Sequence, residues 1–97
     1  MIFRQIKELV MQFLTNPFEY GFIQFRDDFD NIIDENRGAL ISEVKKEKYE
    51  IIDEIYMALE MYEENEAIRQ MEPYCIDESK LVEKITVLFE TLNSKGD

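Results

Sequence analysis

The sequence predicts an all-α fold, an antiparallel up-down four-helix bundle, from three observations. Apolar residues recur at spacings of three and four in four segments of the 97-residue chain, as they do on the buried face of a helix. Turn and capping signals separate these segments, and no segment alternates with the period of two of a strand. Short connections between the first three segments favour antiparallel neighbours. The length suits one domain, predicted over residues 1–97 with a frayed tail at 93–97.

The first two predicted helices meet at Asn16 and Pro17. The first ends there, because the residue before a proline is pushed out of the helical region. Its apolar face consists of Ile2, Ile6, Leu9, Val10, Phe13 and Leu14. Asn16 is expected to cap the second helix, with Pro17 in the first helical position and Glu19 three residues after the cap. Its core-facing aromatic row consists of Phe18, Phe22, Phe25, Phe29 and Ile32. The helix is expected to end over residues 36–38, with Gly38 as a left-handed terminator.

The third and fourth helices carry the other half of the predicted core. Ser42 is expected to cap the third helix. Its inner stripe consists of Val44, Lys48, Ile51, Ile52, Ile55, Leu59 and Tyr62. Residues 63–76 contain Pro73 and lose the pattern, so we expect a long connection with room for one helical turn. Asp77 is expected to cap the fourth helix, with Glu78 in its first turn. The inner face of that helix consists of Leu81, Ile85, Leu88, Phe89 and Leu92.

The residue types predict a protein that is not an enzyme. The chain has no histidine, which removes the commonest general base and the commonest metal ligand. Its three glycines stand apart, so no phosphate-binding loop can form. The acids of residues 27–34 resemble the start of a calcium loop, but no glycine follows and Phe29 and Ile32 belong to a helix pattern. We therefore expect no catalytic residue, no metal site and no cofactor.

Cysteine usage and hydropathy suggest a soluble cytoplasmic protein. Cys75 is the single cysteine, so the chain cannot form an internal disulfide, which favours a reducing compartment. No basic residue or histidine near Cys75 would lower its pKa, and we expect a half-buried, unreactive thiol. No apolar run approaches the roughly 20 residues that a membrane span needs.

Negative charge is concentrated in the middle of the chain. The formal net charge is −11, and residues 27–78 alone hold 17 acids against five bases. Such a surface repels nucleic acid and anionic membranes, and it attracts cationic partners at long range. We therefore expect neither nucleic acid nor membrane as a partner. The alternative is that the charge only keeps a small protein soluble.

The outer face of the third helix is the predicted partner-binding surface. Its stripe consists of Glu47, Glu50, Asp53, Glu54, Met57, Glu60, Met61 and Glu64. Two adaptable methionines within a ring of charge resemble the anatomy of a protein interface. Alternatively, either methionine packs under the 63–76 connection. The acids of the second helix that would widen this field are Asp27, Asp28, Asp30, Asp34 and Glu35. The bases that could instead neutralise some of them are Arg26, Arg37, Lys45 and Lys46.

Three stretches of the chain resemble the colicin D immunity protein family, which includes self-protection proteins of bacteriocin and contact-dependent inhibition systems. The first looks like the opening helical hairpin of that family. The second resembles its third helix, in which an aliphatic pair is followed by an acid and then an aromatic residue. The third resembles the start of its last helix. These stretches are residues 6–14 with Phe18, Glu19 and Phe25; residues 49–56 with Met61 and Tyr62; and residues 76–81. Residues 36–48 and 68–73 depart from the family's pattern.

The resemblance implies a four-helix bundle that binds a nuclease toxin domain, typically one that cleaves transfer RNA, and covers its active site. A ribonuclease needs a cationic cleft for phosphates, and an acidic protein can present carboxylates in that cleft. The toxin contacts implied by position in the family are Asp53, Glu54, Asp77 and Glu78. The stripe and the second helix add the other expected contacts, namely Glu50, Met57, Glu60, Met61, Glu64, Asp27, Asp30 and Asp34.

Two other binding functions remain open on the sequence. The same acidic surface would suit an adaptor or antitoxin-like regulator with a basic partner that is not a toxin. Immunity proteins of the class IIa bacteriocin type are also small helical bundles, but they are usually basic, and the acidic middle of this chain argues against that type. The free chain is expected to be a monomer or a weak dimer.

Overall fold

The computed structural model describes residues 1–94, and it confirms the all-helical class. The six helices in this range are α1 (Ile2–Thr15), α2 (Pro17–Tyr20), α3 (Phe22–Glu43), α4 (Lys46–Met61), α5 (Glu66–Met71) and α6 (Glu78–Ser94). No strand forms within residues 1–94, where a single bridge joins Tyr62 and Ile76. None of the helices in this range is long and apolar enough to cross a membrane.

The core lies between the four long helices. α1 packs on α3, α3 on α4, α4 on α6 and α6 on α1. The rings of Phe13 and Phe25 stack at the centre, with their centroids 4.1 Å apart. The buried residues that the sequence predicts correctly are Ile6, Val10, Phe13, Phe22, Phe25, Phe29, Lys48, Ile51, Ile52, Ile55, Leu59, Tyr62, Leu81, Ile85, Phe89 and Leu92. Most of the predicted inner faces are therefore the observed ones.

The second predicted helix is broken at Gly21, where the apolar spacing gave no sign of a break. Asn16 caps α2 as expected, because its Oδ1 accepts a hydrogen bond from the Glu19 amide and its Nδ2 donates to the Glu19 carboxylate at 2.7 Å. The chain then turns at Gly21, whose φ of 95° suits a residue without a Cβ. The break changes the direction of α2, and Phe18 is 76% exposed rather than part of the core. The prediction that Phe18 belongs to the buried aromatic row is wrong.

The second half of α3 also differs from the prediction. The helix continues through Gly38 to Glu43, so Gly38 is not a terminator and Ser42 does not cap the next helix. The helix is kinked at Asn36, within the predicted end at residues 36–38, where Asn36 has φ −127° and donates a side-chain hydrogen bond to the Ile32 carbonyl at 3.0 Å. An amide side chain that bonds to the preceding turn can hold a kink without ending the helix.

The ends of the helices are tied by contacts between distant parts of the chain. The Glu43 carboxylate accepts hydrogen bonds from the amides of Ile2 and Phe3, at 3.2 and 3.1 Å. It thereby satisfies two of the donors that the first turn of α1 leaves free. No short-range sequence signal predicts this cap, since the residues are 41 and 40 positions apart.

Residues 63–76 form a loop that is closed at its neck. The Glu63 amide donates to the Ile76 carbonyl at 3.1 Å, and the Ile76 amide donates to the Met61 carbonyl at 2.9 Å. The loop contains the short helix α5, which agrees with the prediction of a long connection with room for one helical turn. Asp77 then caps α6 as predicted, accepting from the Lys80 amide at 2.9 Å. Asn93 and Ser94 belong to α6, and the rest of the predicted frayed tail, residues 95–97, lies outside the described residues.

Candidate protein-binding surface

The acids of α3 and α4 meet along the line where these two helices pack. We call this line the acidic seam and define it by Asp30, Asp34, Asp53 and Glu60. Tyr56 lies among them, because the charges of Asp34, Asp30 and Glu60 all raise the pKa of its phenol. The expectation that the two acidic helices are neighbours is therefore correct.

One end of the acidic seam is neutralised within the protein. Arg37 lies 3.6 Å from Asp34 and 4.0 Å from Asp53. Its guanidinium donates to the Tyr49 hydroxyl at 2.7 Å and lies 5.6 Å from the centroid of the Tyr56 ring. The hydrogen bond to Tyr49 is the main reason that the pKa of Arg37 is raised. Arg37 thus forms ion pairs with Asp34 and Asp53, which makes these two acids less available to a partner.

The other end of the acidic seam carries two carboxyl groups that face each other. The pKa of Asp30 is raised from 3.8 to about 6, first by burial and then by Glu60, with smaller contributions that oppose each other from Asp34 and Arg26. Asp30 Oδ1 is buried and accepts no hydrogen bond within residues 1–94. This end of the seam is therefore the place where an external cation would gain most.

The methionines of α4 lie beside a groove rather than at the centre of an acidic ring. The groove runs between α4 and α6 and has a volume of about 500 Å³. Its apolar lining consists of Met57, Ala58, Met61, Val87 and Leu88. Its charged lining consists of Glu54, Glu83, Lys80 and Lys84. Because two lysines face the same groove as two glutamates, the predicted ring of carboxylates around Met57 and Met61 is wrong.

The α6 side of this groove was not predicted from the sequence. Lys80, Lys84 and Val87 are spaced by four and three residues, which places them on one face of a helix. Val87 is 56% exposed and Met57 is 58% exposed. This spacing is a signal in the sequence, but the sequence prediction covered only the inner face of the fourth helix.

Two of the predicted partner contacts have structural partners at the start of α6. Asp77 is the cap of this helix, and Glu78 accepts a hydrogen bond from the Tyr62 hydroxyl at 2.6 Å. Burial, followed by that bond, raises the pKa of the Tyr62 phenol. Glu64 lies in the loop after the end of α4 at Met61, so it does not extend the stripe on the helix.

The remaining predicted acids are distributed around the seam. Asp28 accepts hydrogen bonds from the Tyr20 hydroxyl at 2.6 Å and from the Gln24 amide at 2.8 Å. Glu50 lies 4.0 Å from Lys46, in an exposed pair of the kind that contributes little. The stripe and second-helix acids that are exposed and outside any ion pair within residues 1–94 are Asp27, Glu35, Glu47, Glu54, Glu60 and Glu64.

Cys75 lies in the 63–76 loop, outside the seam and the groove's lining. Its thiol is 3.6 Å from a carboxylate oxygen of Glu72. Burial, followed by the neighbouring acids Glu72 and Glu63, raises its pKa. A raised pKa keeps the thiol protonated at neutral pH and makes it a poor nucleophile. Within residues 1–94, no group of three or more acids or cysteines is arranged to hold a metal ion.

Comparison of the chain with protein-family models, with curated proteins and with solved structures finds no significant match. The function is therefore inferred from the seam, the groove and the sequence pattern.

Proposed function

We propose that this chain is an immunity protein of the colicin D type, which binds a basic nuclease toxin domain and covers its active site. The observation that carries the proposal is the carboxyl pair of Asp30 and Glu60 at the end of the acidic seam. A half-buried carboxyl group beside other acids, with one oxygen that accepts no hydrogen bond within residues 1–94, is costly to keep ionised, and a cationic partner would lower that cost. The resemblance of three stretches to the immunity family supplies the nature of the partner.

The proposal includes an antiparallel up-down arrangement of α1, α3, α4 and α6. Three contacts support it. The start of α1 contacts Glu43 at the end of α3. Arg37 near the end of α3 contacts Tyr49 near the start of α4. The end of α4 and the residues just before α6 share the hydrogen bonds at the neck of the loop. Each contact brings the end of one helix close to the start of another, as antiparallel neighbours require.

In the proposed complex, the acidic seam occupies part of the phosphate-binding cleft of the nuclease. An arginine or lysine of that cleft inserts beside Asp30 and Glu60 and pairs with both carboxylates. Asp34 and Asp53 remain paired with Arg37 and lie at the edge of the contact with the nuclease. The protein itself performs no catalysis and acts in the cytoplasm, where the substrate RNA of such a toxin is located.

The proposal predicts that a gene adjacent to the one for this chain encodes a nuclease toxin, and the toxin domain of that protein is the partner to test. Co-expression of the chain should protect cells from that domain, and the purified proteins should form a complex. Glu60→Lys should weaken the complex at least tenfold in Kd, because a cation then occupies the site of the partner's own cation. Binding is measured by isothermal titration calorimetry.

Glu8→Lys is the matched control, because Glu8 is exposed on α1, which borders neither the seam nor the groove, and the charge change is the same. It should change the Kd by less than a factor of about two to three. Equal weakening by both variants would show that only net charge matters, and the assignment of the seam would fall. If the chain neither protects cells nor binds the toxin domain, but does bind another basic protein of the cell, the adaptor function replaces this proposal.

A further inference from the structure

The groove between α4 and α6 is an open, apolar surface that the described part of the chain leaves uncovered. Met57 and Val87 stand on its two sides with more than half of each side chain exposed. The other apolar residues of the groove, Ala58, Met61 and Leu88, form its floor. An apolar surface of this kind, rimmed by charge, marks a site for a protein partner rather than an ordinary solvated face.

The backbone of the groove restricts the form of its occupant. α4 and α6 use their own amides and carbonyls within the helices, so they offer no free edge to an extended peptide. An extended segment lying on the apolar floor would leave its own backbone groups without partners. A helix satisfies its backbone internally and can bury one apolar face in such a groove.

The charges of the groove restrict the chemistry of its occupant. Glu54 stands on the α4 side, and Lys80, Lys84 and Glu83 stand on the α6 side, which therefore has a net positive charge. Within residues 1–94, none of these four side chains forms an ion pair. An occupant with bases along one edge and acids along the other would pair with both sides. A second copy of this chain is disfavoured, because two molecules of net charge −11 repel each other.

We propose that the groove receives an amphipathic helix of the toxin domain, with an apolar face on Met57 and Val87, basic residues along the edge over Glu54, and acidic residues along the edge over Lys80 and Lys84. This inference rests on the proposed function for the identity of the partner. It adds a second contact next to the acidic seam, since both surfaces lie on α4. It also explains why a protein with an acidic binding face keeps two lysines outside any described ion pair.

The first test uses Val87→Asp, which places a charge on the apolar side of the groove without disturbing the core. It should weaken binding of the toxin domain at least tenfold in Kd. Ile41→Asp is the matched control, because Ile41 is 54% exposed but lies on α3 outside the groove. It should leave the Kd within about a factor of two of that of the unaltered chain. Lys84→Glu should also weaken binding, whereas the same change at the exposed Lys45 should not.

The second test identifies the occupant directly. A photo-crosslinking amino acid at position 87 is activated in the complex, and the crosslinked toxin residues are mapped by mass spectrometry. We expect crosslinks at spacings of three, four or seven residues within one segment, with acids on the side that faces Lys84. Crosslinks to consecutive residues of an extended segment, or none at all, would overturn the proposal.

The outcomes separate this inference from the proposed function. If Glu60→Lys weakens toxin binding but Val87→Asp does not, the groove inference fails and the immunity function stands. If the unaltered chain does not bind the toxin domain, both fail. Weakening by Val87→Asp, but not by Ile41→Asp, together with helical crosslinks, supports the occupied groove.

Discussion

Asp30 carries a cost to folding and is also a proposed contact for a cation of the partner. Its carboxyl group is half-buried and faces Glu60 on α4, with Asp34 and Arg26 on its own helix. Because its pKa is raised in the folded protein, the folded state holds this proton more tightly than the unfolded chain does. Stability from this group is therefore greatest at low pH and is lost as the pH rises toward and through about 6.

We predict that Asp30→Asn stabilises the free protein at neutral pH. The amide removes the ionised carboxyl from the pair, and the free energy of unfolding at about pH 7.5 should rise by roughly 1–2 kcal/mol after allowance for solvent screening. At about pH 4 the gain should vanish, because Asp30 is then protonated. Urea denaturation at the two pH values measures the difference. Asp27→Asn is the control at an exposed position, and an equal gain there would contradict the role given to the pair.

At the scale of the element, Gly21 and Gly38 are expected to respond in opposite directions to the same substitution. Gly21 has a positive φ, and a Cβ there would meet Gln24 Cβ at an ordinary 3.6 Å, so the cost of Gly21→Ala comes from the backbone. It should lower the free energy of unfolding by about 1 kcal/mol.

Gly38 is helical, and no atom lies within 4 Å of the place that a Cβ would occupy. Gly38→Ala should therefore raise the free energy of unfolding by about 0.5–1 kcal/mol. Thermal denaturation measures both, and a gain at Gly21 would contradict the account of the turn.

The same two glycines show what the sequence could and could not predict about the elements. Apolar spacing identified the inner faces, and capping chemistry identified the starts of α2 and α6 at Asn16 and Asp77. Isolated glycines were ambiguous, because the local sequence does not say whether the backbone at Gly21 or at Gly38 takes a positive φ. Tertiary packing decides between them, and it carried α3 past Gly38 to Glu43, where the carboxylate caps α1.

At the scale of the whole molecule, the net charge of −11 should govern the rate at which a basic partner arrives. We predict that the association rate constant with the toxin domain falls at least tenfold as the salt concentration rises from about 0.02 to about 0.3 M, while the dissociation rate changes much less. Stopped-flow measurements give both rates. An association rate that does not depend on salt would contradict electrostatic steering.

The candidate surface was only partly predictable from the sequence, because it depends on how whole helices pack against one another. The acids of α3 and α4 could be placed on adjacent helices from the sequence, and Arg37 could be named as a possible neutralising base. Which acids it pairs with, and which are left facing each other, depends on how the two helices are rotated against one another. The pairing of Asp34 with Arg37 and of Asp30 with Glu60 is thus a property of packing. The same is true of the groove, where Lys84 and Met57 come from different helices that are distant along the chain.

The neck of the 63–76 loop gives this protein a separable module. Its two hydrogen bonds join backbone atoms of Met61, Glu63 and Ile76, so neither bond uses a side chain of the loop. Ile68, Met71 and Tyr74 are exposed in the loop and contribute nothing to the core. We therefore expect that residues between the two sides of the neck can be exchanged, lengthened or replaced by a reporter peptide while the surrounding helices keep their packing. Such a segment is well suited to diversification between related proteins, because variation there is uncoupled from the stability of the scaffold.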